Sequence, residues 1–269
     1  MRALIIGCGY VGLPLGARLA QLGHEVYGVR RDVSGMEKAG IKPIALDITE
    51  AGALEKIPGN FDWVVNLISS SKGGPEEYRK VYVEGNRTLS AWAKTRGVKK
   101  LVYTSSTSVY AQNDHSAVKE SSPTEPTAET SRLLLEAEKA LEGGVILRAS
   151  GIYGPGRGHL FKQYLKNEAR IPGKGERFIN MIHRDDLAEV IIAALKNGRP
   201  GEIYNATDDE PVALVNFYRW LAETLGKWMP PFAPEEDEVD RKRGLTSKKV
   251  QNRRMKIELG VTQIGRAHA

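Results

Sequence analysis

Gly7, Gly9 and Gly12 stand in the run ALIIGCGYVG, directly after the apolar residues Ala3 to Ile6. Glycines at this spacing suit the gripping of a pyrophosphate. The first permits a tight strand-to-helix turn, the second lets backbone amides approach the phosphates, and the third lets helix and strand pack closely. Tyr10 and Val11 lie between them and are expected to share the contact. About twenty residues on, where a carboxylate ordinarily takes the ribose of NAD, the chain has Arg30 and Arg31 instead. Two guanidinium groups there suit a 2′-phosphate, which points to NADP ahead of NAD, although Asp32 follows. Asp47 has two readings, an adenine partner or a turn and helix-cap aspartate. With Ile48, Leu67 and Ser105 it completes the expected dinucleotide contacts.

Other chemistries find little support. The single cysteine, Cys8, lies inside the glycine loop, so no disulfide framework, metal cluster or evident thiol nucleophile is expected, and a reducing cytoplasm fits. The formal charge of +6 is concentrated late, at Arg241, Lys242, Arg243, Lys248, Lys249, Arg253 and Arg254, after the acidic run Glu235 to Glu238. Juxtaposed charge blocks read first as solvated surface, with contact to an anionic substrate or to nucleic acid as the alternative. No aromatic interleaves with the basic residues, so nucleic acid is not an expected partner. The uncharged stretch Ala3 to Ala17 is short and carries four glycines, which fits a strand and phosphate loop rather than a leader or a membrane span.

These residues need elements to hold them. Apolar strand-like and helix-like segments alternate, which predicts an α/β fold with a Rossmann-like, doubly wound parallel sheet and a smaller C-terminal substrate lobe. Strands are expected at Ala3–Ile6, His24–Val29, Pro43–Leu46, Trp63–Leu67, Lys100–Tyr103 and Val145–Leu147. Helices are expected at Tyr10–Leu22, Glu76–Thr95, Leu160–Asn167, Asp185–Lys196, Leu214–Leu225 and Ser247–Leu259, with another ending at Leu141. The Ser-, Thr- and Pro-rich stretch Thr104–Thr130 is too long for an idle connection. Residues 1–150 and 176–206 are expected to form the dinucleotide-binding domain, and 151–175 with 207–262 the substrate lobe. Gln263 to Ala269 resembles the translation of a sequencing-library adapter, which makes 263–269 an expected non-native tail.

Five segments in order, the glycine fingerprint, LVYTSSTSVY (Leu101–Tyr110), LRASGIYGPG (Leu147–Gly156), IHRDDLAEVI (Ile182–Ile191) and GEIYNATDDEPV (Gly201–Val212), resemble the extended short-chain dehydrogenase/reductase superfamily of NAD-dependent epimerases and dehydratases. The resemblance implies an epimerase, dehydratase or reductase acting on a sugar or nucleotide sugar, often as a homodimer. It makes Ser106 the hydroxyl that polarises the substrate oxygen. The family's tyrosine and lysine, four residues apart, are missing: none of the ten tyrosines has a lysine at that spacing. Aligning Glu138 with the family's downstream glutamate puts Thr130 at the tyrosine position and Leu134 at the lysine position. Tyr82 stands where the family carries an active-site asparagine. An unassisted threonine hydroxyl cannot serve as a base near neutral pH, so the resemblance is to an atypical subgroup with altered or lost acid/base groups. Tyr82, Tyr110, Tyr153, Asp114, His115 and His183 are the candidate replacements. A non-catalytic NADP(H) sensor is the alternative. The opening GYVGLPLG with GHEVYGV is also similar to UDP-glucose dehydrogenases, whose cysteine nucleophile has no counterpart here.

Overall fold

Seven short apolar segments dictate the core of the molecule. In the computed structural model, which describes residues 1–70, 73–234, 246–262 and Gly265, they form one parallel sheet. Its strands are β1 (Arg2–Ile6), β2 (Glu25–Arg30), β3 (Ile41–Ala45), β4 (Trp63–Asn66), β5 (Lys100–Ser106), β6 (Val145–Ala149) and β7 (Ile203–Ala206). The order across the sheet is β7-β6-β5-β4-β1-β2-β3. It reverses direction beside β1, where a doubly wound sheet opens its ligand crevice at the strand C-termini. Strands covered on both faces are largely apolar; all four residues of β4 and all five of β6 are buried, and their polar members Asn66 and Arg148 bond to the side chains of Asn86 and Glu138.

Helices cover both faces. On one side lie α1 (Gly12–Gln21), α5 (Arg184–Asn197) and α7 (Arg253–Leu259), with Leu15, Leu19, Leu187, Ile191, Met255 and Leu259 in a shared core. The other side carries α2, a continuous helix in three parts, and α3 (Glu129–Ala140). The parts of α2 are Pro75–Tyr78, the π-helical turn Arg79–Glu84 and Gly85–Thr95. A third core, around Tyr164, Ile171, Ile179, Leu214 and Tyr218, belongs to a small lobe built on α4 (His159–Leu165) and α6 (Leu214–Leu225). Among the described residues no helix is long and apolar enough to cross a membrane.

The segment after Thr246 departs from its predicted helix. Lys249–Val250 forms a short parallel ladder with Ala117–Val118, and the helix starts only at Arg253. The Thr104–Thr130 stretch therefore supplies a pairing edge for distant chain, a partnership that local periodicity cannot report. Met255, Leu259 and Val261 pack with the sheet core, so α7 does not join the lobe to which 207–262 was assigned. Ile179, from the expected dinucleotide domain, packs into the lobe instead. The acidic run Glu235–Glu238 and the basic residues Arg241, Lys242 and Arg243 lie outside the described residues. So does the expected tail except Gly265.

Candidate functional site

The glycine loop turns where β1 ends. The backbone N–H groups of Gly7 and Cys8 both donate to the Val29 carbonyl at 3.1 Å, and Gly9 N–H donates to Gly7 O at 2.7 Å. Gly7 has φ +78°, and a Cβ there would lie 2.7 Å from the backbone nitrogen of Ile68, so only glycine fits without strain. At Gly12 a Cβ would come within 3.1 Å of Ile5 and 3.2 Å of Gly7 O, whereas at Gly9 the nearest atom would be 3.9 Å away. The loop is thus tight on its protein side and open at Gly9, the geometry a pyrophosphate needs at a helix N-terminus. Cys8 is fully buried and burial pushes its thiol up to about 12, which removes it as a nucleophile.

Arg30 ends β2 and Arg31 follows it, while Asp47 and Ile48 follow the end of β3, Ile48 packing against the core on the α2–α3 side. Arg31 is 72% exposed and lies 3.7 Å from Asp47; Arg30 lies 4.0 Å from Asp32. Asp47 accepts the Thr49 N–H at 3.0 Å and its hydroxyl at 2.7 Å, which holds the carboxyl below its ordinary pKa. Of its two readings, the turn aspartate is therefore realised in the chain's own bonding. Among the described residues the two guanidinium groups meet carboxylates in exposed ion pairs, which are worth little, and so are available to an incoming anion.

From the glycine loop a cleft of about 1420 Å³ runs along the C-terminal ends of the strands into the small lobe. Gly7, Gly9, Tyr10, Val11, Leu67, Ser105, Ser106 and Tyr82 all line it; Gly12, Thr130 and the Arg30 group do not. Ser106 caps the short turn Thr107–Val109 by accepting the Ser108 N–H at 3.2 Å. It therefore holds the loop and faces the cleft at once. Tyr82 projects from the π-helical turn of α2, and its hydroxyl accepts the Ser70 N–H at 2.9 Å. Mid-helix π turns recur at functional sites because the extra residue re-aims a side chain.

The structure keeps Thr130, Tyr110, Asp114 and His115 out of the cleft lining, and gives Ser105 a protein partner while leaving it in that lining. Thr130 is buried, 6% exposed, in the first turn of α3 and outside the cleft lining. Leu134, one turn on, does line the cleft and supplies no charge. Ser105 lines it too, but donates its hydroxyl to Glu138 at 2.6 Å. Glu138 in turn takes the Arg148 guanidinium at 2.7 Å with both partners almost fully buried, and Arg148 donates to the Tyr110 hydroxyl. Tyr110 thereby belongs to a structural network with Asn205 rather than to the cleft. Asp114 and His115 also lie outside the cleft lining, whereas Tyr153 and His183 belong to it, their rings edge to face at 5.2 Å.

Two cleft residues were not foreseen. Lys248, counted in the basic surface run, is 4% exposed and donates to Tyr110 O at 2.8 Å and to the Thr246 hydroxyl at 2.7 Å. With no carboxylate among these partners, burial draws its ammonium down to about 8. Asp208 lines the cleft, and its buried Oδ1 has no hydrogen-bond partner among the described residues. Burial, reinforced by Asp209, Glu210 and Asp186, pushes its carboxyl up to about 7 against a bond from the Glu210 N–H. Its segment, NATDDEP, was legible as a motif but not as a proton carrier. Tyr153 is pushed up to about 12 by burial and by Asp208 and Asp186, and so stays protonated at neutral pH.

Comparison with known proteins agrees with this architecture. The family model of the NAD-dependent epimerase/dehydratase family matches residues 3–207. Protein YeeZ of Escherichia coli (strain K12) is 29% identical over 246 residues, covering 86% of each chain. The N-acetyl-alpha-D-glucosaminyl-diphospho-ditrans,octacis-undecaprenol 4-epimerase of E. coli O157:H7 is 27% identical over 202 residues, 68% of this chain and 61% of that protein. Among solved structures, DesIV, the dTDP-glucose 4,6-dehydratase of Streptomyces venezuelae with NAD and TYD bound, superposes with TM-score 0.81. It is 22% identical and covers 99% of this chain and 94% of its own. A fingerprint loop on a seven-stranded doubly wound sheet, matched by a family model over three quarters of its length, places the chain in the NAD-dependent epimerase/dehydratase family.

Proposed function

We propose that this protein is an NADP-preferring oxidoreductase or isomerase of the epimerase/dehydratase type. On this reading it acts in the cytoplasm on a secondary alcohol or ketone of a sugar-type substrate, with acid/base groups that differ from the family's tyrosine and lysine. The observation that carries the reading is the continuous cleft from Gly9 to the small lobe, with Ser106, Tyr82 and Asp208 on its walls. Its volume exceeds the roughly 300–1,000 Å³ of ordinary small-molecule pockets, so one cleft has room for part of a dinucleotide and for a substrate.

The open face at Gly9 and the weakly tied Arg30 and Arg31 fit a dinucleotide carrying a 2′-phosphate. Such a cofactor, when bound, supplies or takes up a hydride. The chain's part is to orient and to move protons. Ser106 presents a hydroxyl to the substrate oxygen, and Asp208, with a pKa near the working pH, gives or takes the proton. The hydroxyl of Tyr82, fixed by Ser70, positions the substrate. Sugar-type substrates are supported by the relatives named for them.

The test is cofactor titration followed by turnover with a nucleotide-sugar panel. NADPH is expected to bind about tenfold or more tightly than NADH, and Arg30→Ser with Arg31→Ser to erase that preference while leaving NADH binding unchanged. Asp208→Asn is expected to lower kcat and remove the limb of the pH profile near 7. Equal affinity for both cofactors overturns the NADP preference. Bound cofactor without redox change or isomerisation across that panel and a second panel of simple alkyl glycosides and ketones favours the second reading, a non-catalytic NADP(H) sensor, which the uncharged Leu134 in the cleft supports.

A further inference from the structure

Helix α6 carries more apolar surface than its own core uses. Leu214, Tyr218, Leu221 and Ala222, at i, i+4, i+7 and i+8, form the stripe that packs into the lobe. One such stripe suffices to seat a surface helix. Beside it Phe217, which also packs against the lobe core, and the half-exposed Trp220 line the cleft with Thr224 and Leu225. Trp220 is 49% exposed and Leu225 41%; Phe161, which lines the same cleft from α4, is 39% exposed.

Charge is sorted in the same sense. No Lys, Arg, Asp or Glu of α4 or α6 lines the cleft, and Lys162, Arg219 and Glu223 of these helices are all exposed outside it. The cleft's charged members, Arg157, Arg177, Asp208, Glu210 and Lys248, come from other segments. A desolvated phosphate needs cations or several directed donors; beside His159, Asn216 and Thr224 this wall is made of Phe161, Phe217, Trp220 and Leu225, and neither helix puts a Lys or Arg there. Large apolar side chains gathered in a concave site beside a cofactor loop mark a ligand surface.

We infer that the α4–α6 wall binds a neutral aryl or alkyl group of the substrate, so that the protein acts on an amphipathic alcohol or ketone. This deepens the proposed function and rests on it for the polar end. The reacting carbon lies toward Ser106, and the apolar group runs along Phe217, Trp220 and Phe161.

Calorimetric titration of the full chain, with and without NADPH, tests this using two homologous series, n-alkyl β-D-glucosides from methyl to hexyl and 3-oxoalkanoates from four to eight carbons. Affinity is expected to rise about fourfold per methylene in at least one series, the equivalent of one buried CH₂. Trp220→Ala or Phe161→Ala, both at partly exposed positions, flattens the slope, and Trp228→Ala, 93% exposed outside the cleft, leaves it intact. Absence of binding, a flat slope in both series, or a slope that survives Trp220→Ala and Phe161→Ala together overturns the inference. The NADPH titration separates the two claims: loss of cofactor binding with the slope intact sinks the proposed function and leaves the wall, and the reverse result sinks the wall alone.

Discussion

Lys248 shows how far a side chain's neighbours can move its chemistry. Counted along the chain it is one cation in a basic run; folded, it is 4% exposed, with two neutral oxygens as partners. Its pKa falls from 10.5 to about 8 because the charged form loses water without gaining an anion. The folded protein therefore carries the full penalty of a buried charge below about pH 8. Between pH 8 and 10.5 the unfolded chain holds a proton that the folded chain has shed, so stability rises with pH across that window. Urea denaturation of the wild type and Lys248→Met is expected to show the wild type gaining on the order of 3 kcal/mol relative to the variant from pH 8 to 10.5. A flat difference would mean that Lys248 is not buried as a cation. Arg148, at similar depth, is stabilised in its charged form by the Glu138 carboxylate. The contrast between the two lies in their partners, not their exposure.

At the level of elements, α1 must lie close to the sheet for its N-terminus to reach the loop. Gly16 makes that approach possible, since a Cβ there would stand 2.4 Å from Cδ1 and 2.8 Å from Cγ1 of Ile41. Gly16→Val is expected to cost about 1–3 kcal/mol by overpacking and to weaken NADPH binding as α1 is pushed from its seat. Adding Ile41→Ala to the same chain opens the space again and should recover part of both losses, read by thermal denaturation and cofactor titration. Unchanged binding in Gly16→Val would separate the seat of α1 from the loop. The helix itself was legible in sequence because its apolar positions and the stop at Gly23 are local signals. Its observed start at Gly12, two residues after the expected Tyr10, follows from Gly9 and Tyr10 remaining in the turn. The ladder between Lys249–Val250 and Ala117–Val118 was not legible, since each two-residue strand is too short to carry a period and its partner lies more than a hundred residues away.

For the whole molecule, cofactor binding and folding are linked, because the loop, α1 and the ends of β2 and β3 exist only in the native state. A ligand that binds only the folded state stabilises it by about 2.7 kcal/mol at a hundred times its Kd. A thermal shift of several degrees with NADPH, and a smaller one with equimolar NADH, is expected from the Arg30–Arg31 pair. Equal shifts would count against the 2′-phosphate site. The fingerprint at Gly7, Gly9 and Gly12, the alternation that builds the parallel sheet, and the absence of any tyrosine with a lysine four residues on could all be read from the chain, because each is a matter of residue type at short spacing. Which hydroxyls and charges share a cleft was settled by folding alone. It buried Lys248, committed Ser105 and Tyr110 to the Glu138–Arg148 network, kept Thr130 out of the cleft, and set Asp208 and the α6 wall along it. Those outcomes rest on contacts between segments far apart in sequence and on the loss of water around them, and neither is encoded in any local pattern.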